Sequence, residues 1–117
     1  MESDFYRFEA GPAANIIALN LPESLDAMEF DQLNGAILKL LEGRTRQKWV
    51  IDLTAVSYLG SAMLGLLVNI RQQIKINGGR LVLCGMSPRL LEIFRTCCME
   101  RLFSIVKDRT LAVSGNP

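Results

Sequence analysis

The stretch from Trp49 to Asn77 constrains the fold more than any other part of the chain. Trp49-Val50-Ile51-Asp52-Leu53 is a short apolar run with a β-branched centre, the pattern of a buried strand. Thr54 to Gly60 reads as a connecting turn. Ser61 then opens an apolar helix through Ala62, Met63, Leu64, Leu67, Ile70 and Ile74 to about Asn77. A strand, a short polar loop and a serine at a helix start place one hydroxyl at the carboxyl end of a sheet strand. Open α/β sheets present their ligand sites at that edge. Ser61 is the leading candidate for a functional side chain.

The flanking segments extend this into an alternating pattern. Phe5 to Glu9 and Asn15 to Asn20, joined by a turn at Gly11-Pro12, predict an antiparallel hairpin. Asp26 followed by Glu29 has the spacing of a capping box, and Phe30, Leu33, Ile37, Leu40 and Leu41 recur on one helical face up to Gly43. Arg44 to Lys48 reads as a solvated basic turn rather than a phosphate site. Arg80 to Gly85, after Asn77-Gly78-Gly79, is apolar enough to be a strand covered on both faces. Ser87-Pro88 predicts an N-cap followed by proline at the first helical position, with Leu90, Leu91 and Phe94 facing inward. Leu102 to Val106 is a short last strand. From Lys107 to Pro117 the sequence supports at most one further helical turn, around Thr110 to Val113, before a polar end that frays.

The order β-β-α-β-α-β-α-β predicts an α/β fold. Right-handed crossovers make the later strands a parallel sheet of about five strands with an antiparallel N-terminal hairpin edge and helices packed on it. A length of 117 residues suits one domain.

Composition removes several classes of function. The formal net charge is +1 and no Lys/Arg block occurs, which argues against nucleic-acid binding. No apolar run approaches the ~20 residues that cross a bilayer, and the start Met-Glu-Ser-Asp-Phe-Tyr lacks the basic and apolar regions of a leader. A cytoplasmic protein without membrane insertion is expected. With no histidine, Ser-His-Asp and Cys-His catalysis are excluded. A Ser61–Lys couple, the remaining hydrolytic reading, finds Lys39, Lys48, Lys75 and Lys107 in no motif. Gly60-Ser61 lacks the spaced glycines of a phosphate loop. Asp52 fits a turn cap better than a metal ligand. Cys84 reads as a small buried hydrophobe, and the adjacent Cys97 and Cys98 have no second pair with which to hold a metal. No enzyme, cofactor or metal is expected.

Two readings of the central helix stay open. Met63, Leu67, Ile70 and Ile74 make a core stripe. Leu64 and Leu66 add apolar surface, which is either buried by neighbouring elements or forms a docking face. Ser61 is either a plain N-cap or a position where a phosphate would sit beside the positive end of the helix.

Val50-Ile51-Asp52-Leu53-Thr54-Ala55-Val56-Ser57-Tyr58-Leu59-Gly60-Ser61-Ala62-Met63-Leu64-Gly65-Leu66-Leu67 resembles the central motif of STAS domains, the family of bacterial anti-sigma factor antagonists. Leu25-Asp26, the segment from Asn77 to Cys84, and Ser87-Pro88 with Leu90 to Thr96 and Leu102-Phe103 are similar to further parts of it, so the likeness runs from about residue 14 to 106. Gly60 stands where the family has aspartate, Ala62 where it has a second serine and Met63 where it has glycine. Glu23 and Ser24 replace a glycine ahead of Leu25-Asp26. The resemblance implies a regulator that binds an anti-sigma factor with serine kinase activity, is phosphorylated at Ser61, and docks through Asp26, Tyr58, Gly60, Ser61, Ala62, Met63 and Leu64. It also allows an unphosphorylated scaffold or a transporter-associated subunit. The apolar helix start leaves room for a homodimer.

Overall fold

Period-two alternation assigns the strand side chains to two faces. In a computed structural model, which describes residues 4–115, β1 (Tyr6–Ala10), β2 (Asn15–Leu19), β3 (Lys48–Asp52), β4 (Arg80–Cys84) and β5 (Ser104–Val106) form one sheet in that spatial order. β1 and β2 pair antiparallel, from Tyr6 opposite Leu19 to Ala10 opposite Asn15, and the remaining pairs are parallel. The chain forms the mixed sheet with a hairpin edge that its sequence predicts.

One face of the sheet carries Ile17, Leu19, Trp49, Ile51 and Leu83 against α1 (Ala27–Leu41), α2 (Ser61–Ile76) and α3 (Pro88–Thr96). Each large side chain buried there contributes about 1.5–3 kcal/mol relative to exposure. Phe8 stacks on Trp49 and Phe94 meets Phe103 edge-on, both with ring centroids 5.9 Å apart. The other face holds Val50, Val82 and Cys84 beneath Ala112 of α4 (Arg109–Ser114). Cys84 is fully buried, and burial, reinforced by the charge of Asp52, pushes its thiol up to about 11. Cys97 and Cys98 are exposed free thiols.

The caps are local. The Glu29 amide donates to Asp26 Oδ1 at 2.8 Å and the Asp26 amide to Glu29 Oε1 at 3.1 Å, the reciprocal pair of a capping box. Ser87 Oγ accepts from the Leu90 amide at 3.2 Å, with Pro88 at the first helical position. Gly43, at φ 73°, takes the left-handed conformation that lets the chain leave α1.

Several boundaries differ from expectation. β5 starts at Ser104 because Cys98, at φ 57°, turns the chain into a 3₁₀ turn (Met99–Arg101). Leu91 is half-buried and outside the core: Leu90 and Phe94, four residues apart, share a face that Leu91 does not. Of the two readings left open for the apolar surface at the start of α2, burial is the one that holds, since Leu64 is 7 % and Leu66 3 % accessible. Leu64 and Leu66 join the core that α1, α2 and α3 share, and a helix apolar nearly all round is a buried one. The helical turn expected around Thr110 to Val113 is present and runs over Arg109–Ser114, because Asp108 caps α4 by accepting from the Leu111 amide at 2.9 Å and Ala112 is buried. Met1–Ser3, on which the leader reading partly rests, and the polar end 116–117 lie outside the described residues.

Candidate functional site

β3 leaves the sheet at Asp52 and the chain re-enters regular structure at Ser61. The loop between is nailed down by Leu53, Val56 and Leu59, each at most 2 % accessible, while Ser57 is exposed and Tyr58 half-exposed. The Val56 amide donates to the Leu53 carbonyl at 3.0 Å, closing a tight turn. Gly60, not Ser61, is the N-cap of α2 (φ −82°, ψ 176°), and having no side chain it makes no capping bond. That corrects the reading of Ser61 as a plain cap: it is the first helical residue and is exposed. The amide donors of the first turn therefore have no side-chain acceptor at the cap, and no acidic residue stands in that turn.

Ser61 lies on the rim shared by two grooves. The first, about 380 Å³, runs between the starts of α1 and α2 and includes Asp26, Phe30, Gly60, Ala62 and Met63. The second, about 470 Å³ and mainly apolar, runs between α2 and α3 and includes Tyr58, Leu64, Arg89, Ile93 and Cys97. The seven residues singled out from the sequence thus converge on one edge. Their parts differ: Asp26 spends its carboxylate on the α1 cap, and Met63 and Leu64 are 7 % accessible and contribute only groove walls. The contribution of α3 has no local signal in the sequence. Arg89 reaches the site because α3 follows β4, the strand beside β3, and its guanidinium sits 5.2 Å from the Tyr58 ring centroid. Met28, in the first turn of α1 and 70 % accessible, adds an exposed apolar side chain at the start of that helix. No lysine lines either groove, so the Ser–Lys couple has no partner here among the described residues.

Asp52 braces the loop from below. Its Oδ1 accepts from the Thr54 hydroxyl and, at 2.9 Å, from the Thr54 amide, while Arg109 of α4 donates to its Oδ2 at 2.9 and 3.0 Å. Burial alone would raise the Asp52 carboxyl. The Thr54 bonds and the Arg109 guanidinium outweigh it and hold the carboxyl below its ordinary value of 3.8. This is a turn cap and an ion pair. A depressed carboxylate stabilises the fold above its unfolded value and ceases to as pH falls through the folded one. Asp52→Asn is expected to cost about 1–2 kcal/mol at neutral pH, a difference from wild type that begins to shrink only as pH falls below the ordinary value of 3.8 and closes once pH has passed through the lower folded one, read from urea midpoints at a series of pH values.

Comparison with known proteins agrees with this geometry. The family model for the STAS domain matches residues 9–112. An anti-sigma-factor antagonist (STAS) domain protein from Planctomyces limnophilus superposes with a TM-score of 0.80 at 24% identity, over 92% of this chain and 94% of that one. SpoIIAA of Bacillus in its phosphorylated form gives a TM-score of 0.66 at 17% identity, over 89% and 91%. A sulfate transporter family protein from Wolinella succinogenes gives 0.72 at 14%, over 91% and 86%. These likenesses establish a common fold. With the family model covering nearly all of the described residues, and with a strand, anchored loop and serine-led helix at its centre, the chain belongs to the STAS domain family.

Proposed function

We propose that the chain is a regulatory domain of the anti-sigma-factor-antagonist type, which binds a protein partner at the Ser61 edge and is released by phosphorylation of Ser61. The exposed Ser61 hydroxyl, on the rim common to both grooves and at a helix start with no side-chain cap, carries this reading. A phosphate there adds nearly two negative charges beside the positive end of α2, so the fold tolerates it while the docking surface changes sign. The partner is an anti-sigma factor with serine kinase activity that holds its own ATP. Its γ-phosphoryl group passes to Ser61 Oγ, ADP leaves and the hydroxyl proton is released. The chain itself works in the cytoplasm by binding, as one domain, without cofactor or catalysis. That a protein of the same fold, SpoIIAA, has a phosphorylated form supports the reading.

A second reading, a domain that serves a transporter, draws on the likeness to the sulfate transporter family protein. Intact-mass analysis with phosphosite mapping of the protein from its own cells separates the two. A single phosphate at Ser61 under some growth condition is the expected result. An unmodified Ser61 in every condition, with a membrane transporter co-purifying, would favour the second reading.

A further inference from the structure

The opposite edge of the sheet, where β2, β3 and β4 begin, carries a second concavity. A cavity of about 580 Å³ opens between the hairpin turn at Gly11–Ala14 and the loop 44–48. Arg44, Arg46, Lys48 and Arg80 line it, and no Asp or Glu does. In a chain with 13 basic and 12 acidic side chains, that is a strong local excess of one sign. Read as sequence, 44–48 is only a solvated turn. The β3–β4 pairing brings Arg80 opposite Lys48 and converts the turn into one wall of a pocket.

Two of the cations have structural partners. Arg44 Nη1 donates to the Leu40 carbonyl at 2.7 Å and its guanidinium lies 5.1 Å from the Phe8 ring centroid. Lys48 Nζ donates to the carbonyls of Gly115 and Val113, at 2.7 and 3.4 Å. These contacts complement helix ends, and they also hold both groups in place with donors to spare, since arginine has five N–H groups and lysine three. Arg46 and Arg80 have no carboxylate partner among the described residues. Their backbones are fixed: the Arg46 amide donates to the Asn77 carbonyl at 2.8 Å, and the Arg80 amide to the Gln47 carbonyl at 3.1 Å. The backbone that carries the four cations is thus fixed, and like charges gathered on it repel one another until an anion arrives.

We propose that this cavity binds a compact, soluble polyanion carrying two phosphate groups. Arginine forks match phosphate oxygens in pairs, and the volume lies in the range of small-molecule pockets. Gly11, Ala13 and Ala14 leave room for the ligand. No large apolar side chain lines the cavity beside the cations, as insertion into a bilayer interface would require, and this favours a soluble anion. The site lies at the sheet edge remote from Ser61 and does not depend on the reading of that residue.

The test is a ¹H–¹⁵N NMR titration of the full chain with pyrophosphate and, separately, fructose 1,6-bisphosphate. Saturable shifts are expected in the amides of residues 11–15 and 44–48 and of Arg80, weakening as salt is added. An Arg46→Ala/Arg80→Ala variant is expected to melt as wild type and bind about tenfold more weakly. The single change Arg80→Gln, at an exposed side chain that leaves the Arg46 turn untouched, is expected to weaken binding about threefold. No saturable shift with either probe, or binding that Arg80→Gln leaves unchanged, overturns the proposal. So does binding to phosphatidylglycerol vesicles that pyrophosphate fails to displace, which would assign the patch to a membrane surface.

Discussion

A Ser61→Asp variant is expected to melt at the wild-type temperature and to bind its protein partner about a hundredfold more weakly, close to 3 kcal/mol. The stability half follows from what Ser61 does not do. Its side chain is exposed and caps nothing, so replacing it removes no internal bond. A carboxylate in the first turn of α2 meets open backbone N–H groups and is favourable there by about 0.3–1 kcal/mol. The binding half follows from the groove beside it, where Leu59, Leu64 and Ile93 offer apolar walls. A partner that covers this rim must desolvate the new charge, and an unpaired buried charge costs about 2–5 kcal/mol. Calorimetric titration with the partner captured by the wild-type chain reads the difference, with Ser61→Ala as a control expected to bind like wild type. Equal affinities for the Asp variant and wild type would remove Ser61 from any switch.

Gly85→Ala is expected to lower stability by about 3 kcal/mol, a fall of roughly 10–15 °C in melting temperature. Gly85 follows β4 at φ 75°, where an L side chain is strained. Space is shorter still: a Cβ would stand 2.2 Å from Thr54 Oγ1, 2.8 Å from Asp52 Oδ1 and 3.0 Å from the Thr54 amide nitrogen. The threonine must swing away, which breaks its bond to Asp52 and loosens the brace beneath the Ser61 loop. Thermal melting by circular dichroism checks it. A melting temperature within a few degrees of wild type would show that the turn can shift to admit a methyl group.

What the sequence made legible was whatever depends on near neighbours. The capping box of Asp26 and Glu29 and the Ser87-Pro88 start are set by residues within four positions, and the structure has them where the pattern puts them. The alternating order of strands and helices carried the sheet topology. What escaped depends on distant partners. The Asp52–Arg109 pair joins residues 57 apart, and α4 is short and held by packing on β3, β4 and β5 rather than by propensity. Burial of Leu64 and Leu66 required knowing that α1, α2 and α3 share one face. The role of Ser61 as first helical residue instead of cap turned on the backbone angles of Gly60, which no side-chain pattern encodes. The edge that carries Ser61 was visible from β3 and α2, but the α3 wall of its groove, with Arg89 and Ile93, was not.

The anchored loop between β3 and α2 has a kinetic consequence. With Leu53, Val56 and Leu59 sunk in the core and Asp52 holding Thr54, the surface around Ser61 exists before any encounter. Little conformational freedom is left to lose, and no rare competent state has to be waited for. Association should then proceed at the ordinary rate for docking two rigid patches, and rival partners should differ chiefly in how long they stay. A partner would be chosen by residence time, and a charge placed on Ser61 would act by shortening it.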